Sequence, residues 1–150
     1  MADTISPERR SANMAAIRSR DTAPEVYIRK LLFARGYRYR KNSSAVTGHP
    51  DLYLAKYHAA VFVHGCYWHR HAGCTLCYMP KSRVEFWTAK FEANVARDAA
   101  VRAALEEQHI RCLIIWECTI RKMRKNPELE TEVLDRICDF LHGSLEYLEL

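Results

Sequence analysis

Apolar residues recur along the chain with two different periods. Behind Thr22-Ala23-Pro24-Glu25, which has the form of a capping box with proline in the first turn, Ile28, Leu31 and Leu32 share one helical face. This predicts a helix from there to about residue 35, ended by Gly36. Residues 37–40 alternate and predict a strand. Thr47-Gly48-His49-Pro50 reads as a turn, residues 51–54 as a second strand and 59–64 as a third. The third is almost wholly apolar, which predicts a central strand buried on both faces. Trp87, Phe91, Asn94, Asp98, Val101 and Leu105 recur at intervals of four, three, four, three and four, one face of a long helix over about 84–108. Asp98 therefore shares a stripe with core residues. Residues 110–116 predict another strand, and Asn126-Pro127-Glu128 caps a last helix with Leu129, Val133, Ile137 and Phe140 inward. The order of elements predicts a mixed α/β domain.

Composition narrows the function classes. A chain of 150 residues suits one core, and no run of 18 apolar residues offers a membrane span. The polar start MADTISPERRSANM does not read as a signal peptide, so a cytoplasmic address is expected. There, six cysteines point to metal ligands or buried thiols before disulfides. The net charge of +5 is uneven: residues 1–42 hold ten Lys and Arg against four Asp and Glu, residues 127–150 one against seven. A basic body with an acidic tail predicts an anionic partner, with nucleic acid first.

The stretch FVHGCYWHRHAGC, residues 62–74, concentrates the candidate chemistry. Structural zinc takes four Cys and His ligands in a tetrahedron. Cys66, His71, Cys74 and Cys77 would close such a site locally, and Cys118 is a fifth candidate just past the strand ending at Trp116. Cys112 and Cys138 lie inside apolar periodic segments and suit packing. Left over are His64 at the end of the central strand, His69, Asp51 at the start of its neighbour, and inward-facing Asp98. A carboxylate at such a sheet edge can hold Mg²⁺, and a histidine can act as base near neutral pH. Singly, each has a plainer reading as turn, core or surface residue. Together, on a basic domain, they point to phosphodiester hydrolysis. Pro50-Asp51 followed by Phe62-Val63-His64 echoes the PD-(D/E)xK layout of metal-dependent nucleases, with Phe62 in place of the second acid and His64 in place of the lysine.

Seven motifs carry a closer likeness. Asn13-Met14-Ala15-Ala16-Ile17, Asp21-Thr22-Ala23-Pro24-Glu25, Gly48-His49-Pro50-Asp51, His64-Gly65-Cys66-Tyr67-Trp68-His69, Glu85-Phe86-Trp87, Asn94-Val95-Ala96-Arg97-Asp98 and Trp116-Glu117-Cys118 run in order. Over about residues 9–125 the chain resembles the very short patch repair endonucleases, which nick double-stranded DNA beside the T of a T·G mismatch left by deamination of 5-methylcytosine. The resemblance implies a restriction-endonuclease-like fold: a mixed central sheet flanked by helices, with a structural zinc site. It implies a Mg²⁺ ligand at Asp51, helped by the backbone carbonyl of Val63, where any side chain is tolerated. His69 would activate the attacking water, Asp98 would hold its ring, His64 would contact phosphate or metal-bound water, and Glu25 would support the metal's waters. Zn²⁺ would fall to Cys66, His71, Cys74 and Cys118. Some relatives have one residue fewer between this histidine and the second cysteine, and Cys77 offers a rival fourth ligand.

Tyr67, Trp68 and Trp87 match positions where that family inserts rings into the base stack, although Tyr67 replaces a phenylalanine and Trp87 also suits core packing. Unstacking is cheapest at a mismatch, which gives selectivity. Met14, among Arg9, Arg10, Arg18 and Arg20, would enter the minor groove from a segment, residues 1–20, that clamps DNA, with 21–150 forming one endonuclease domain. The resemblance leaves room for other mismatch-repair proteins as partners, and implies action at the bacterial nucleoid. Nicking one strand of an asymmetric substrate needs no dimer, so a monomer is expected. Two rival readings are a restriction-type nuclease acting on intact duplex and a zinc-stapled DNA-binding module without catalysis. Asp51, His64, His69 and Asp98 speak against the second.

Overall fold

The computed structural model describes residues 6–9 and 21–150. Met14, and all but residues 6–9 of the expected clamp, lie outside the described residues. Helix α1 (Ala23–Ala34) starts where the capping box predicts: Thr22 Oγ1 accepts from the Glu25 N–H at 3.5 Å, and Glu25 Oε2 accepts from the Asp21 N–H at 2.9 Å. Gly36, at φ +93°, turns the chain out of the helix. The strand expected over 37–40 shrinks to β1 (Arg40–Lys41). The Tyr37 N–H is already bound to the Leu32 carbonyl at the helix end, and the Tyr39 hydroxyl reaches the Arg29 carbonyl. Those two residues dock against α1 instead of pairing in the sheet.

Strands β2 (Leu52–Leu54) and β3 (Ala59–His64) form a hairpin. Helix α2 (Val84–Glu107) then crosses over to β4 (Arg111–Trp116), which lies parallel to β3. Two more helices follow, α3 (Glu117–Lys125) and α4 (Pro127–His142), and the chain ends in β5 (Tyr147–Glu149), parallel to β4. The sheet order is β1-β2-β3-β4-β5, so β3 is central. Neither α3 nor β5 is expected from the sequence pattern. Asn126 caps α4 as expected, its side chain accepting from the N–H groups of Glu128 and Leu129. At the other end of α4, the Arg111 guanidinium donates to the carbonyls of Phe140 and Leu141. That leads the tail back to the sheet.

Both faces of β3 and β4 are buried, and the period-2 alternation divides them between two cores. Ala59, Val61, Leu113 and Ile115 face the core shared with α1, α3 and α4. Ala60, Phe62, Cys112, Ile114 and Trp116 face the smaller core under α2. His64 therefore leaves β3 on the α2 side, in register with Trp116. Among the described residues, no helix is long and apolar enough to cross a membrane.

Candidate active site and metal centre

The carboxyl end of β3 gathers the acids and histidines. Asp51, just before β2, reaches across to the neighbouring strand, where its Oδ2 accepts from the Val63 N–H at 2.6 Å. Burial pushes the Asp51 carboxyl up to about 7, and nearby Glu25 adds to this, against the pull of the Val63 N–H, Arg29 and His69. Glu25 lies on the inward face of α1, 4% exposed, and its Oε2 accepts from Arg29 Nη2 at 2.9 Å. Arg29 Nη1 also pairs with Asp21 Oδ1 at 2.6 Å.

His64 and His69 stack in parallel, with ring centroids 3.8 Å apart and planes 5° apart. Burial, and then His69, depress His64 to about 4, which keeps it neutral at pH 7. The His69 Nδ1 lies 2.7 Å from Asp98 Oδ2. A carboxylate only accepts, so Nδ1 carries a proton, and in the neutral ring Nε2 is then the acceptor. Ligand atoms of His64, His69 and Asp98 lie within 4.8 Å of one another. With Asp51, Val63 and Glu25 they line one cleft of about 830 Å³ between α2 and the sheet. The stripe that put Asp98 in line with Phe91 and Leu105 is what aims it there.

The second cluster lies behind the first. Ligand atoms of Cys66, His71, Cys74 and Cys118 lie within 4.8 Å of one another, and Cys77 is not among them. His71 Nδ1 is 3.5 Å from Cys66 Sγ and 3.4 Å from Cys118 Sγ. Tight turns fold the loop onto itself: the His71 N–H binds the Cys66 carbonyl, the Cys74 N–H that of His71, and the Cys77 N–H that of Cys74. Cys118 comes from the first turn of α3, the helix that sequence periodicity does not reveal. Burial is the main force pushing the Cys66 thiol up to about 12, against the pull of the Cys118 N–H, and the side chains of Cys118 and Cys74 add to the rise. Cys74 is lowered, chiefly by the Leu76 N–H. Cys112 is buried on β4 and Cys138 half-buried on α4, both against the cores.

Tyr67, Trp68 and Trp87 come together, with Tyr67 5.0 Å from Trp68 and Trp87 6.0 Å from Trp68, over the buried ring of Phe91. All three stay half-buried, and Trp68 also lines the cleft. Asn94, from the same helical stripe, donates to the Trp68 carbonyl and ties the loop to α2.

Two supporting groups escape sequence reasoning. Arg29 is one, although its i,i+4 spacing from Glu25 is a readable signal. The other is Trp116 with Glu149. The Trp116 indole lies parallel to His71 at 4.2 Å and edge-on to His64 at 5.3 Å, and donates to Glu149 Oε1 at 2.6 Å. One ring thus separates the two clusters and touches both. No sequence signal places a three-residue edge strand beside it.

A family model described as DNA mismatch endonuclease Vsr matches residues 2–75. The chain is 41% identical over 140 residues to the DNA mismatch endonuclease Vsr of Escherichia coli (strain K12), spanning 92% of this chain and 89% of that protein. It is 39% identical over 137 residues to the Type II nicking enzyme V.NmeAIP of Neisseria meningitidis serogroup A, spanning 91% and 94%. It is 42% identical over 120 residues to the Type II nicking enzyme V.XorIIP of Xanthomonas oryzae pv. oryzae, spanning 80% and 88%.

Proposed function

The chain belongs to the Vsr family of DNA mismatch endonucleases, and from that premise we propose that it nicks one strand of duplex DNA beside the T of T·G mismatches. It is a nuclease acting on DNA; the T·G preference and its origin in deaminated 5-methylcytosine are our reading. The observation that carries the mechanism is the His69–Asp98 hydrogen bond at 2.7 Å inside the cleft that also holds Asp51.

In this reading His69 Nε2 accepts the proton of the attacking water while Asp98 fixes the tautomer and stabilises the imidazolium that results. Neutral His64, stacked on His69, would donate a hydrogen bond to the scissile phosphate or accept one from a metal-bound water, without adding a second positive charge. Asp51 is the residue that would hold Mg²⁺, and the Val63 carbonyl would assist. The fit rests on its chemistry: a buried carboxyl raised to about 7 beside a second buried acid is a place that favours a hard cation. When bound, Mg²⁺ supplies charge to offset the phosphoryl oxygens in the transition state. Glu25, held by Arg29 at 2.9 Å, would order the waters beside Asp51.

Cys66, His71, Cys74 and Cys118 would hold Zn²⁺. Three sulfurs and one imidazole nitrogen within 4.8 Å suit a closed tetrahedral site, and a cation there would offset the burial that keeps Cys66 protonated. Such a site would tie the 66–74 loop to α3. We assign Tyr67, Trp68 and Trp87 to wedging between bases, and the basic 1–20 segment, through Met14, to clamping the minor groove. A monomer suffices for one nick.

The test is a panel of T·G duplexes in varied sequence contexts beside their fully paired counterparts, incubated with Mg²⁺. Nicking confined to the mismatched duplexes, on the T strand, is expected. Equal cutting of paired duplex would instead assign a restriction-type activity.

A further inference from the structure

Arg70 lies between His69 and His71, the second histidine of one cluster and the single histidine of the other, yet its side chain serves neither. Arg70 does not line the catalytic cleft; it lines a second hollow with Met79 and Phe91. There Nη1 donates to the carbonyls of Tyr67 and Tyr78, each at 3.1 Å. The guanidinium carbon sits 3.9 Å above the Phe91 ring and 5.7 Å from that of Tyr67. The Tyr67 and Tyr78 rings themselves lie 4.9 Å apart. One side chain thus closes the loop from 67 to 78 into a ring and seats that ring on α2. The backbone of Arg70 has φ +57°, a left-handed conformation that a residue with a Cβ rarely adopts. It is the turn that carries the guanidinium away from the cleft.

We propose that Arg70 is a positioning residue for mismatch reading: its clip on Tyr67 and Tyr78, seated on Phe91, holds the Tyr67–Trp68 wedge rigid against α2. The proposal rests on the assignment of Tyr67 and Trp68 as the wedge. An arginine beside a nuclease cleft would ordinarily be read as a phosphate contact. The two carbonyls and the Phe91 face already occupy this one, so its charge acts within the protein. A loose wedge bends aside instead of unstacking bases, and the binding energy that favours a mismatch is lost before the chemistry is touched.

The experiment compares wild type with Arg70→Ala, Arg70→Gly and Arg70→Lys on a T·G duplex and its paired control, each with 2-aminopurine next to the reading site. Arg70→Gly removes the clip while relieving the left-handed backbone, so it remains a fair test where the alanine variant folds poorly. For the alanine and glycine variants we expect KM on the T·G duplex to rise about tenfold, the effect of losing one contact of this class. The fluorescence rise that reports unstacking should vanish. Binding to paired duplex, its salt dependence and kcat at saturation should stay within about twofold of wild type. Arg70→Lys keeps a cation over Phe91 and should recover part of the signal. Equal loss on both duplexes with a shallower salt slope would make Arg70 a phosphate contact and overturn the proposal. So would an unchanged fluorescence signal in a folded Arg70→Gly protein. A wild-type enzyme that neither prefers the mismatch nor raises the fluorescence would sink the wedge assignment itself, a result distinct from failure of the arginine variants alone.

Discussion

The two faces of the sheet differ in what they spend their residues on. On one, α4 buries Val133, Leu134, Ile137, Phe140 and Leu141 along its 16 residues, and with α1 and α3 it closes an apolar core. On the other, α2 runs for 24 residues and buries only Phe91 and Leu105. What α2 leaves open is the cleft, with His64, His69 and Asp98 on its walls. Val84, Phe86 and Val95 of α2 stay about half exposed. One face holds the fold; the other leaves a cleft open to solvent. The two faces should therefore fail in different ways when mutated.

The largest effect is expected at the second cluster, which joins the loop of one face to the start of α3. Cys118→Ser should abolish zinc binding at the proposed Cys66–His71–Cys74–Cys118 site, measured as metal per chain, and free the 66–74 loop, while Cys77→Ser should leave it intact. Metal retained in the first variant and lost from the second would move the fourth ligand to Cys77 and detach the site from α3. Next comes His69→Ala. Loss of the proposed base should lower kcat for nicking by about 10²–10⁴-fold while the unfolding midpoint barely moves. An alanine variant as active as wild type would remove the base from the mechanism.

Ile137→Ala tests the opposite face. Ile137 is fully buried in the α1–α3–α4 core, and its truncation should cost about 2–5 kcal/mol of stability by denaturant unfolding. Nicking per folded molecule should stay at the wild-type value. A variant that lost activity in proportion to neither stability nor folded fraction would show that the two faces are mechanically coupled.

The same contrast explains how much was readable in the chain. β3 and β4 stand out because burial on both faces makes them continuous apolar runs, and the α2 stripe stands out because its few inward residues keep a strict helical interval. That stripe placed Asp98 inward, and the end of the apolar run placed His64 at the sheet edge. Helix α3 was not legible: only Ile120 and Met123 are buried in it, too few to set a period. Its polar signals, Glu117 in the first turn and Lys122, Arg124 and Lys125 in the last, fit a helix dipole and would have located it. β5 is three residues long and is defined by the partner edge of β4, so nothing local announces it. Trp116–Glu149 and the Arg70 clip escaped for the same reason. Each joins parts of the chain that only the fold brings together.

The smallest effect, and the most diagnostic of an open face, concerns pH. The Asp51 carboxyl lies near 7 in the folded protein against an ordinary 3.8. A raised carboxyl favours folding fully below the ordinary value and loses that contribution as pH rises through about 7. His64 works in the other direction: depressed from 6.5 to about 4, it contributes above 6.5 and loses its contribution as pH falls through 4. Between about pH 4 and 7 the two oppose each other, so wild type should show a flat stability profile there from these groups. Asp51→Asn removes one side of the balance. Without divalent cations it should be more stable than wild type at pH 8 by roughly 1–3 kcal/mol, and its stability should climb with pH between 4 and 6.5. Adding Mg²⁺ at pH 8 should raise the melting temperature of wild type and leave Asp51→Asn unmoved. The result to look for against this is an asparagine variant less stable than wild type at pH 8. Asp51 would then be held by partners that satisfy its charge, and the cleft would carry no stored preference for a cation.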